Sequence, residues 1–233
     1  MLKNKIDIAI INVCTNVISE PLITFSEADL QLLLVEELRK IPIIKKLHET
    51  SVKRGQDSEG QYKTSLLHRE YGGGKNTRID IAIFDPKDVE NIDKPNLVVN
   101  QAGNYLKPKY AFEMGTEKII DIKNHLINDI KKLDNVVKPE GTGYIIHIQK
   151  DKTVSKSGTG RRINTEAKVN KIKNVFKVQK LPDRIKVIAI LLRIGRDQKR
   201  MRNKCEIFNG KDFQAININS KEKINKIILS QLK

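Results

Sequence analysis

The sequence predicts an α/β fold, a central mixed β-sheet flanked by helices, and three observations carry that expectation. Apolar runs of strand character recur at 78–84, 110–114, 143–149 and 186–194. Segments 26–40 and 116–133 instead repeat their apolar residues at the 3.6-residue spacing of an amphipathic helix. Two strand-like runs, Arg78-Ile-Asp80-Ile-Ala-Ile and Tyr110-Ala-Phe-Glu113-Met-Gly115, each deliver one carboxylate into apolar company. Carboxylates brought together at the ends of adjacent buried strands repel, and a hard divalent cation such as magnesium relieves that repulsion most simply.

Along the chain, residues 6–18 are apolar enough for either a buried strand or a helix, and periodicity leaves both open. Ser26 followed by Asp29 predicts a capped helix that runs to about Lys40 and ends before Pro42. Its stripe is Leu30, Leu33, Leu34 and Leu38, with Glu37 in the middle, and a carboxylate there needs a partner. Residues 50–63 read as a loop, and Ser65–Tyr71 with Thr77–Phe84 as a hairpin closed by Gly72-Gly-Gly-Lys-Asn. No lysine-serine or lysine-threonine pair follows at nucleotide-loop spacing. On the first strand His68 and Glu70 share a face, and Glu70 is read as either an extra metal ligand or half of a strand-edge ion pair. Residues 86–109 form a polar insertion.

After Gly115, Thr116 caps a helix to about Leu133 with Ile119, Ile122, Leu126, Ile130 and Leu133 buried, and Lys118 borders that stripe in the first turn. Strands at 143–149 and 186–194 and a final helix from Ser220, with Ile224, Ile227, Ile228 and Leu232 inward, complete the pattern.

The order helix, strand, Arg-Ile-Asp strand, Phe-Glu strand, helix resembles the PD-(D/E)XK superfamily, the restriction-endonuclease-like nucleases, over roughly residues 26–148. The resemblance implies a magnesium-dependent DNA endonuclease, of restriction type, in which Asp80 and Glu113 bind Mg2+. The motif lysine, two positions after the glutamate, is Gly115 here. In some branches of the superfamily the following helix supplies it, which makes Lys118 the expected replacement. A glutamate on the helix before the first core strand often reaches the site, which makes Glu37 a candidate. The alternative is a catalytically inactive member that binds nucleic acid, and outside the resemblance a basic α/β protein associated with RNA or the ribosome.

Charge is distributed unevenly. Residues 1–148 hold 21 Lys and Arg against 21 Asp and Glu, whereas residues 149–233 hold 23 against 7, so the whole net charge of +16 lies in the last third. Such a concentration is the footprint of a phosphate-binding surface. Arg161, Arg162, Arg193, Arg196, Lys199, Arg200 and Arg202 are its candidate nucleic-acid contacts, double-stranded DNA being the expected partner. The length, 233 residues, suits a single domain with its core at about 26–148 and a basic C-terminal part at about 149–233. Homodimerisation would match the symmetry of a duplex site.

No run of about 18 apolar residues and no signal-peptide pattern occurs, so no membrane partner and a cytoplasmic location are expected. Cys14 and Cys205 are far apart in the chain and fit buried free thiols in a reducing compartment. The four histidines lack HxH or HExxH spacing, and no GxSxG element is present, which argues against zinc and serine hydrolases.

Overall fold

In the computed structural model the described residues are all except 1, 25, 55–57, 73–77, 91–105, 117–121, 153–169, 171, 176–180, 195–203, 209–211 and 218. Their frame is a mixed seven-stranded sheet in the order β3-β4-β5-β6-β7-β8-β9. Its strands are β3 (Leu67–Gly72), β4 (Arg78–Ile83), β5 (Tyr110–Gly115), β6 (Thr142–Lys152), β7 (Ile185–Ile194), β8 (Lys204–Phe208) and β9 (Phe213–Ile216). The pairs β5·β6 and β6·β7 are parallel and the remainder antiparallel. The expected α/β class with a mixed central sheet is therefore present, and β8 and β9 add two strands that the sequence pattern did not announce.

One face of the sheet carries α1 (Leu2–Ser19), α2 (Glu27–Arg39) and α6 (Lys221–Leu232), whose apolar residues join one core with Ile81, Phe112, Tyr144, Ile146, Ile188 and Ile190. The ambiguous segment 6–18 is thus helix. Its near-continuous apolar character reflects burial against α2, α6 and the sheet, with Ile6, Ile10, Val17 and Ile18 wholly inaccessible. Helix α2 begins as predicted, since Ser26 and Asp29 form a reciprocal capping box. Ile224, Ile228 and Leu232 of α6 are buried at the predicted spacing.

The opposite face is covered by α5 (Ile122–Val136), packed through Leu126, Ile130, Leu133 and Val136 on Ala111, Ile145 and Val187. Gly143 permits this approach: a Cβ there would stand 2.7 Å from Ile185 and 3.0 Å from Leu133. Of residues 50–63, read as a loop, 50–54 and 58–63 belong instead to an antiparallel pair of strands, β1 (His48–Arg54) and β2 (Ser58–Thr64), separate from the main sheet. Its sequence lacks apolar alternation, so backbone pairing rather than a hydrophobic pattern defines it. Two short helices, α3 (Pro42–Lys45) and α4 (Pro86–Glu90), are also present, α4 opening the 86–109 insertion with Val89 buried.

Among the described residues no helix is long and apolar enough to cross a membrane. Cys14 and Cys205 are free and buried, and burial pushes both thiols up to about 12.

Candidate functional site

Asp80 and Glu113 come together on the side of the sheet covered by α5. The β4·β5 ladder pairs Ile83 with Tyr110, Ala82 with Ala111 and Ile81 with Phe112, and by the same register the next positions are Asp80 and Glu113. There the ladder ends. The carboxylate of Asp80 takes over, its Oδ2 accepting a 2.6 Å hydrogen bond from the backbone N–H of Met114. Ile81 and Ile83 join the core under α1 and α2, and Ile79 joins the core under α5.

Glu113 is only 4% exposed. Its Oε2 accepts a 2.6 Å bond from Lys132 Nζ on α5, whereas its Oε1 is buried with no hydrogen-bond partner. Burial, then the neighbouring charge of Asp80, push its pKa up from 4.5 to about 9, with Lys132 opposing. Asp80 is likewise raised, by burial first, against the stabilising Met114 amide and the charge of Lys132. The charge of Asp80 thus disfavours ionisation of Glu113, and those of Glu70 and Asp129 disfavour ionisation of Asp80.

Lys132 also donates to the carbonyl of Arg78 at 2.9 Å, which pins it over the ends of both strands. One helical turn earlier, Asp129 Oδ1 lies 3.8 Å from Lys132 Nζ, and Asp129 Oδ2 lies 3.5 Å from Nε2 of His147 on β6. Gly115 and His147 are register partners, and the imidazole lies over the glycine.

Glu70 is the fourth carboxylate nearby. The β3·β4 register is continuous on either side of it, Arg69 with Ile81 and Tyr71 with Ile79, so Glu70 stands opposite Asp80. Like charges directly across a strand pair repel. The backbone leaves the β region at that point, with φ 51 at Glu70, and its carboxylate pairs with the Arg78 guanidinium, which realises the ion-pair reading.

The other sequence candidates fall elsewhere. Glu37 binds Asn12 of α1 at 3.1 Å and pairs with Lys40; burial raises its carboxyl, but those two partners hold it below the ordinary range. Its described bonds therefore tie α2 to α1 rather than reach Asp80 or Glu113. The buried face of α2 is Leu30, Gln31, Leu34, Val35 and Leu38, which leaves Glu37 beside the stripe. Lys118, Arg161, Arg162, Arg196, Lys199, Arg200 and Arg202 lie outside the described residues. Arg193 is in β7 opposite Lys204, and its side chain is likewise outside them.

Three residues at the site were not singled out from sequence: Lys132, Asp129 and His147. Asp129 carried a signal, since it is i+3 from Leu126 and i−4 from Leu133 and thus borders the buried stripe. Lys132 and His147 carried none of comparable strength.

Among the described residues no group of three or more His, Cys, Asp or Glu could hold a metal ion. Magnesium asks for less, because it keeps several waters and is held by one or two carboxylates together with substrate phosphates. Asp80 and Glu113 fit that requirement, and the orphaned Oε1 of Glu113 is an acceptor a cation would satisfy. No protein-family model, curated protein or solved structure matches the chain.

Proposed function

We propose that this protein is a magnesium-dependent endonuclease that hydrolyses phosphodiester bonds in DNA, of the restriction-endonuclease-like kind, with Asp80 and Glu113 as metal ligands. The observation that carries the reading is the buried Glu113 beside Asp80, one oxygen on Lys132 and the other without a partner. Magnesium, when bound, would supply charge neutralisation and a more acidic bound water. The chain supplies the rest. Met114 N–H orients Asp80, and Lys132 offers an ammonium group at the carboxylate pair, where it can face the attacking water and the charge growing on phosphorus. In this reading Lys132, rather than Lys118, takes the part that Gly115 cannot play. The excess of basic residues after 148 supports DNA as the substrate, because phosphate contacts provide most nonspecific affinity.

A second reading, nucleic-acid binding without cleavage, is favoured by the Lys132–Glu113 contact, which already occupies one oxygen of that carboxyl group. Incubation of plasmid and phage DNA with magnesium, with filter binding at two salt concentrations, separates the two. Discrete fragments that disappear in Asp80→Ala and Glu113→Ala are the expected result. Salt-sensitive binding without any cleavage by the unmodified protein would replace the first reading by the second.

A further inference from the structure

A side chain at position 115, two residues beyond Glu113, would project on the same face of β5 as Glu113 itself. None is present, and the reason is steric. A Cβ on Gly115 would stand 2.9 Å from Cε1, 3.0 Å from Nε2 and 3.1 Å from Nδ1 of His147, so its three nearest neighbours are all atoms of one imidazole. The ring reaches across from β6, where His147 is in register with Gly115. From α5, Asp129 Oδ2 lies 3.5 Å from its Nε2, a buried nitrogen that makes no hydrogen bond, and Asp129 Oδ1 faces Lys132. On β7 the residue in register with His147 is Ala189, which adds no competing charge. The ring thus stands beside the Asp129 carboxylate, next to a site that holds Asp80, Glu113 and Lys132.

We infer that His147, packed over Gly115 and beside Asp129, contacts the substrate phosphate as a hydrogen-bond donor from the space a residue at 115 would otherwise fill, so that Lys132 and His147 together form the donor wall of the site. The inference rests on the phosphodiesterase reading above and adds a substrate-contacting residue to it. It also explains the glycine: position 115 is empty because the adjacent strand supplies the donor.

The test compares magnesium-dependent DNA cleavage, as kcat and KM, for the unmodified protein, His147→Ala, Gly115→Lys and the double variant Gly115→Lys/His147→Ala, with a thermal melt of each. His147→Ala should slow cleavage by about 100-fold, the scale on which removal of one preorganised donor acts. Gly115→Lys alone should melt lower, because its side chain meets the imidazole, and the double variant should recover both melting temperature and most of the lost rate. A merely structural role for His147 would not be rescued by a lysine on another strand. The inference is overturned if folded His147→Ala cleaves at the unmodified rate, or if the folded double variant stays as slow as His147→Ala. It falls together with the nuclease reading if the unmodified protein cleaves nothing, an outcome distinct from either of those.

Discussion

Two buried carboxylates on opposite faces of the sheet are treated differently. On the face under α1, Asp7 is 6% exposed, and each of its oxygens has a donor: Lys3 Nζ at 2.7 Å to Oδ2 and the hydroxyl of buried Tyr144 at 3.0 Å to Oδ1. Tyr144 is in turn stacked on Phe112, ring centres 5.0 Å apart. On the face under α5, Glu113 is as deeply buried, yet one oxygen lacks a partner and the neighbouring carboxylate of Asp80 repels it. The first arrangement satisfies an acid within the fold. The second leaves an electrostatic deficit that a ligand can fill, and that contrast separates a structural polar group from a candidate site.

The comparison can be broken at either face. The largest effect is expected at Lys132: Lys132→Ala should lower magnesium-dependent cleavage by about 100- to 1,000-fold, whereas Glu37→Gln, at the α1–α2 contact, should leave kcat near that of the unmodified protein. Steady-state cleavage assays of the two variants check this. Equal losses in both would return Glu37 to the site and remove the distinction drawn from its partners.

Next in size, Tyr144→Phe strips Asp7 of a buried donor and should destabilise by about 1–3 kcal/mol, read as a lower midpoint in chemical unfolding. Glu113→Gln should do the opposite in metal-free protein. The folded protein keeps the Glu113 proton up to about pH 9, while the unfolded chain releases it near 4.5. The folded state binds more protons between those values. The contribution of Glu113 is therefore complete below 4.5 and is lost as pH rises toward 9. Melting curves without magnesium should fall across that window, and Glu113→Gln should flatten the fall; a decline of the same slope in the variant would assign it to another group. The smallest effect is at the start of α2, where Ser26→Ala removes half of the capping box and should cost about 1 kcal/mol, measurable by denaturant titration with no change in cleavage.

The local elements were legible where one chemical pattern dominates. The capping box at Ser26 and Asp29, the Leu126, Ile130 and Leu133 part of the α5 stripe and the apolar strands around Asp80 and Glu113 all follow from short-range spacing, and each is found in the fold. The hairpin at 48–64 was missed because its strands carry no apolar alternation. Glu37 was drawn toward the site by the family resemblance together with its place on a helical wheel, which assigns a direction along the helix but not which partner lies there.

By itself the sequence determined the α/β pattern and the two acidic strands, because side-chain periodicity is a property of the local backbone. Only tertiary structure decided which cation meets Glu113 and what stands over Gly115. Lys132 is 19 residues from Glu113 in the chain, and their 2.6 Å contact depends on how closely α5 settles on Gly143. His147 reaches Gly115 through the parallel register of β5 and β6. Close packing between distant segments sets both distances, and no spacing along a single segment encodes it.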